Sequence, residues 1–153
     1  MIFSFMGKYC FFVGHRDAPP EVVPMLTHQI EFCIRDRDIT HFIVGQYGLF
    51  DQYVTEELRK AKKKSPHIKL FRLIAYHPSE RKVEVPCGFD DTYYPDGQET
   101  VPKRLAIVAA NKKVAVQCDL LIVYVKGPGN ARNLMEFATQ HHIPVINLAD
   151  TVI

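Results

Sequence analysis

Two patterns of apolar residues alternate along the chain. Short apolar runs, which predict strands, lie at about 8–13, 40–44, 68–75, 119–125 and 144–148. Apolar residues at three-to-four spacing, which predict amphipathic helices, lie at about 22–34, 51–64, 102–115 and 133–141. Strands that alternate with helices form a parallel sheet covered on both faces. We therefore predict an α/β fold, a single Rossmann-like doubly wound domain over residues 1–153 with about five parallel strands flanked by helices.

One long connection, at about 76–102, interrupts this alternation and is rich in proline and glycine. Connections of this length inside a compact domain are usually functional or poorly ordered. The segment contains Tyr93 and Tyr94 among acidic residues. One hypothesis is a lid in which these rings fold over the sheet edge and stack on a base. The alternative is that they cover the surface of the domain.

Three of the strand-like runs end in glycine-bearing loops. Right-handed crossovers bring the carboxyl ends of parallel strands to one edge of the sheet, where open α/β sheets bind ligands. We therefore predict that the three loops converge on one ligand. The predicted ligand-binding residues are Gly14, His15, Arg16, Gly45, Gly48, Asp51, Gly127, Gly129 and Asn130.

The residue types in these loops indicate an anionic, nucleotide-like ligand. Arg16 lies just before a helix, where free N–H groups and a guanidinium together suit a phosphate. Alternatively, Arg16 pairs with Asp17 and His15 is structural. The Asp51 carboxylate is of a type that accepts a hydrogen bond from a ribose hydroxyl, and it is also a common N-cap of a helix. The two roles are compatible. The third loop, which contains Gly127, Gly129 and Asn130, either binds a second phosphate at the start of the helix that follows or makes only a tight turn.

Several features together resemble the SLOG superfamily over about residues 8–148. They are the Gly14-His15-Arg16 opening, the Gly45-x-x-Gly48-x-x-Asp51 loop, the spacing from Asn111 to Asp119 and the glycine-rich exit that follows. The superfamily includes the LOG phosphoribohydrolases, the DprA/Smf proteins and small bacterial proteins of the YspA kind, which this chain resembles most. The resemblance implies a Rossmann-like sheet with a pocket for nucleotides or their derivatives, and a homodimer.

The chain departs from the hydrolase members of that superfamily. Their loop has the form PGGxGTxxE, whereas Met135 stands here at the position of the glutamate, and Ala110 replaces an arginine common before strand four. We therefore expect a sensor or ligand-binding module without a cofactor. The alternative is an N-glycosidic hydrolase or transferase acting on a nucleoside phosphate. Its candidate catalytic carboxylates are Asp51 and Glu136.

Composition and charge narrow the class of protein. The chain has 47% hydrophobic and 24% charged residues, with a formal net charge of +2, so nucleic acid and membrane surfaces are not expected as partners. The basic run at 59–64 is expected to be a solvated helix end. The four cysteines show no metal-ligand spacing and are expected to be free thiols, so we predict no metal and a cytoplasmic location. Either Met1 or Met6 is plausible as the start.

Overall fold

The computed structural model describes residues 7–150. They form one parallel sheet of six strands in the order β4-β3-β2-β1-β5-β6. The strands are β1 (Tyr9–Gly14), β2 (His41–Val44), β3 (Lys69–Leu73), β4 (Asp91–Tyr93), β5 (Leu120–Tyr124) and β6 (Val145–Asn147). The α-helices are α1 (Val22–Asp36), α2 (Leu49–Lys64), α3 (Ala106–Ala115) and α4 (Asn130–Gln140). Short 3₁₀ turns occur at Gln98–Thr100, Lys103–Leu105 and Leu148–Asp150.

The helices cover the sheet on both faces, which confirms the predicted α/β, Rossmann-like fold. Side chains alternate across each strand, so Cys10 and Phe12 of β1 face one cluster of buried residues, with α1 and α2. Tyr9 and Phe11 face the other cluster, with α3 and α4. The strand order reverses its direction at β1, which pairs with both β2 and β5. This reversal is the switch point at which such sheets bind ligands.

The sixth strand, β4, lies inside the long connection, where the sequence pattern predicted none. It pairs with the outer edge of β3, and Tyr93 is buried there with 2% of its surface exposed. The Tyr93 ring is therefore part of the core and does not lie over the sheet edge as the lid hypothesis placed it. Tyr94 is half-buried and packs edge-on against His77. The exposed part of the connection is 77–88, apart from two half-buried positions.

Two helices begin earlier than predicted, and both begin after a glycine. Gly48 precedes α2 and Gly129 precedes α4, with φ angles of 132° and 140°. Both glycines have ψ close to 180°, a backbone region that essentially only glycine adopts. The sequence pattern predicted these helix starts at Asp51 and Asn133, which are polar residues of the kind that often cap helices. The glycine starts bring the first turns of α2 and α4 closer to the strand ends.

The cysteines are all free thiols, as expected: Cys10, Cys33 and Cys118 are buried and Cys87 is exposed. Within residues 7–150, no helix has both the length and the apolar character needed to cross a membrane. The question of Met1 or Met6 as the start lies outside the described residues.

Candidate ligand-binding site

A cavity of about 260 Å³ lies at the carboxyl ends of β1 and β2, at the switch point of the sheet. The predicted site residues that line it are Gly14, His15, Arg16, Gly45, Asp51 and Asn130. They come from all three of the predicted loops. The fold therefore brings parts of these loops to one place, as the topology argument required.

Four predicted residues lie outside the lining of this cavity. Gly48 packs under Arg16, because a Cβ atom added to Gly48 would lie 2.6 Å from the Arg16 Cα atom. Gly127 and Gly129 have nothing within 4 Å of an added Cβ, so they face open space. Glu136 is exposed on α4. Asp51 is thus the one candidate catalytic carboxylate that lines the cavity.

The glycines of the first two loops make room for side chains. A Cβ atom on Gly14 would collide with the Phe50 ring, and one on Gly45 would lie 3.1 Å from the Asp51 Oδ2 atom. Their smallness thus allows α2 to pack closely against the ends of β1 and β2. This packing holds the Asp51 carboxyl against the backbone of the loop that follows β2.

His15 links two loops that are distant in the sequence. Its Nε2 atom accepts hydrogen bonds from the backbone N–H groups of Lys126, at 2.9 Å, and Gly127, at 3.4 Å. Its ring meets the Tyr124 ring edge-on, with the centroids 6.1 Å apart. The bonds require an unprotonated Nε2, so the neutral ring carries its proton on Nδ1. His15 therefore positions the loops after β1 and β5, in addition to lining the cavity.

Asp51 is the site residue with the most perturbed ionisation. Burial raises its pKa from 3.8 to about 6, against the opposing effects of the Tyr47 backbone N–H and the charges of Arg72 and Arg16. The Tyr47 N–H donates to Asp51 Oδ2 at 2.9 Å. Asp51 lies in the first turn of α2, so this hydrogen bond ties the start of the helix to the loop that follows β2. The carboxyl can therefore hold or release a proton near neutral pH.

The opposite side of the cavity attracts anions. Gly129 provides no side-chain cap to α4, and the backbone N–H groups of Asn130 and Ala131 have no acceptor among residues 7–150. Arg16 is exposed, and no carboxylate in the described part of the chain pairs with it. Free N–H groups at a helix start, next to an unpaired guanidinium, form a site for a phosphate or carboxylate.

Six lining residues were not among the predicted site residues: Phe12, Val13, Tyr47, Ile107, Asn111 and Ala131. Asn111 and Ile107 come from α3, whose amphipathic pattern gave no indication that one of its faces meets the sheet edge. The spacing from Asn111 to Asp119 was a signal for Asn111. Within the described range, no cluster of three or more His, Cys, Asp or Glu residues is arranged to hold a metal ion.

Comparisons with known proteins identify the fold. No protein-family model matches the chain, and no curated protein matches it in sequence. Among solved structures, the Moco carrier protein from Chlamydomonas reinhardtii is similar, with a TM-score of 0.58. The match covers 94% of this chain and 76% of that chain, at 14% sequence identity. This likeness supports the Rossmann-like α/β fold, while membership of the SLOG superfamily stays a prediction.

Proposed function

We propose that this protein binds a nucleotide or nucleotide-derived small molecule in the 260 Å³ cavity, as a sensor or ligand-binding module. One observation carries the proposal: the cavity joins the uncapped start of α4 to Arg16, which has no acidic partner in the described part of the chain. A phosphate would bind to the free N–H groups of Asn130 and Ala131 and to the Arg16 guanidinium.

The rest of the cavity suits a sugar and a base. Asp51 offers a carboxyl oxygen to a sugar hydroxyl, and Asn111 offers both a donor and an acceptor. Tyr47 and Ile107 provide apolar surface for a ring. Clefts with a few polar groups on a mainly apolar lining are typical of small-molecule sites.

The alternative function is cleavage of an N-glycosidic bond in a nucleoside phosphate. One observation favours it: Asp51 lies in the cavity with a pKa of about 6, in the range that suits proton transfer near neutral pH. Glu136 is exposed and outside the cavity lining, so a two-carboxylate mechanism lacks its second group there. The structurally similar protein is named a carrier, which supports the binding module over the hydrolase.

A thermal-shift panel with product analysis tests the two functions together. The panel holds AMP, ADP, ADP-ribose, cyclic dinucleotides and Moco, and each mixture is then analysed by chromatography. A ligand at a hundredfold excess over its dissociation constant stabilises a protein by about 2.7 kcal/mol, which raises Tm by roughly 5–10 °C for a domain of this size.

The outcomes separate the proposals. A shift with intact ligand supports the binding module, and release of a free base with a sugar phosphate supports the hydrolase. Absence of both across the panel contradicts both functions. Binding to single-stranded DNA, with affinity falling steeply as salt rises, would contradict the expectation that nucleic acid is not the partner. A homodimer and a cytoplasmic location are further predictions, tested by sedimentation and by cell fractionation.

A further inference from the structure

A second cavity, of about 420 Å³, adjoins the first at Asp51. Asp51 lines both cavities, and the second is otherwise formed by α2, the loop after β2 and the end of β3. The residues of interest in it are Gln46, Thr55 and Arg72. No loop motif in the sequence indicated this second cavity.

Arg72 is half-buried at the carboxyl end of β3, opposite Val44 of β2. Its two terminal nitrogens donate to Gln46 Oε1, at 3.1 Å, and to Thr55 Oγ1, at 3.2 Å. Both acceptors are neutral. Its Nε–H is buried without an acceptor, and no carboxylate lies within ion-pair distance in the described part of the chain.

An arginine held in this way is costly to the folded protein. A guanidinium has five N–H donors, and burial of a charge without an ionic partner is unfavourable. Burial lowers the pKa of Arg72, against the opposing effect of the Asp51 charge. Glu56 also lines the second cavity, but Arg59 neutralises it through an ion pair of 2.8 Å. An oxyanion in this cavity would supply the partner that Arg72 lacks.

We propose that Arg72 binds a second phosphate, so that the ligand carries phosphate groups on both sides of a sugar that faces Asp51. This inference rests on the proposed function and narrows its ligand class to nucleoside bisphosphates and related compounds phosphorylated at two separate positions. The first phosphate occupies the start of α4 with Arg16, and the second lies in the Arg72 cavity.

Calorimetric titration with AMP and with adenosine 3′,5′-bisphosphate tests the inference. The wild-type protein should bind the bisphosphate at least tenfold more tightly than AMP, because a charge-assisted hydrogen-bond pair is added. Arg72→Met should remove this gain and leave the AMP affinity unchanged. Arg72→Lys keeps the charge but lacks the planar fork, so it should retain only part of the gain.

Arg35→Met is the matched control, because Arg35 is exposed in the last turn of α1, away from both cavities. It should preserve the gain. An equal gain in Arg72→Met and wild type, or AMP binding with no gain from the second phosphate, overturns the inference and leaves the proposed function intact. Failure of both compounds to bind contradicts the proposed function as well. Should Arg72→Met not fold, the Arg72→Lys comparison decides by the same criterion.

Discussion

The Nε2 atom of His15 accepts a hydrogen bond of 2.9 Å from the backbone N–H of Lys126, which lies 111 residues further along the chain. This bond joins the loops that follow β1 and β5, two neighbouring strands of the sheet. Both loops border the candidate site. Its geometry therefore depends on a contact that neither loop sequence indicates by itself.

His15→Ala should lower the free energy of unfolding by about 1 kcal/mol, because one or two hydrogen bonds to backbone N–H groups are lost. Thermal melting should show a decrease in Tm of about 2–4 °C. His28→Ala is the control, since His28 is exposed on α1, and it should leave Tm unchanged. Equal Tm values for the two variants would contradict the structural role of His15.

Arg16→Met should weaken the binding of AMP about tenfold, because Arg16 is an exposed cation that lines the cavity together with the uncapped start of α4. Arg35→Met removes the same charge far from the cavity and should leave the affinity unchanged. Both are measured by calorimetric titration at one ionic strength. If the two variants weaken binding equally, the effect is one of net charge and the phosphate assignment fails.

Asp51→Asn should stabilise the folded protein at pH 7. The folded state holds the Asp51 proton up to a pKa of about 6, whereas the unfolded chain releases it near 3.8. The folded state binds more protons between these values, so this carboxyl lowers stability as pH rises through the window. The variant should gain up to roughly 3 kcal/mol at pH 7 and almost nothing at pH 3.5, since an amide oxygen can still accept the Tyr47 N–H.

Urea denaturation at several pH values measures this difference. Asp17→Asn is the control, because Asp17 is exposed in the neighbouring loop and should show no such pH-dependent gain. A variant at Asp51 with the same pH profile as wild type would show that its carboxyl is not desolvated.

Gly48→Ala should destabilise the fold by about 2 kcal/mol or more, because φ is 132° there and the added Cβ would lie 2.6 Å from the Arg16 Cα atom. Gly127→Ala is a matched control, because an added Cβ at Gly127 meets nothing within 4 Å. Chemical denaturation of both variants checks the difference. A loss of stability in the control as large as that in Gly48→Ala would argue against this packing explanation.

The exposed segment 77–88 should become protected from trypsin when ligand binds. The Arg81 guanidinium carbon lies 3.8 Å from the centroid of the Tyr76 ring. The Arg81 charge is also close enough to lower the pKa of Tyr47, against the larger raising effect of burial, and Tyr47 lines the cavity. Cleavage after Arg81 and Lys82 should slow several-fold at saturating AMP. Cleavage after Lys64, at the end of α2, should keep its rate. Equal slowing at all three positions would indicate general stabilisation and exclude a lid.

The sequence by itself determined that strands alternate with helices in an α/β fold, and at which edge of the sheet the glycine-bearing loops lie. Apolar runs and three-to-four spacing are local signals, so they predicted five of the six strands and all four helices. The glycine-bearing loops follow from the same pattern, because parallel strands end at one edge. Six of the nine predicted ligand-binding residues line the cavity on this basis.

Tertiary structure decided the features that depend on contacts between distant segments. The three-residue strand β4 is held by pairing with β3 and by the burial of Tyr93, which no local pattern of Asp91-Thr92-Tyr93 predicts. Arg72 appeared as an ordinary polar residue in a strand until the fold placed it where the Asp51 charge acts on it and its buried Nε–H has no acceptor. Burial and pairing are properties of the packed chain, so the partners of His15, Asp51 and Arg72 could emerge only there.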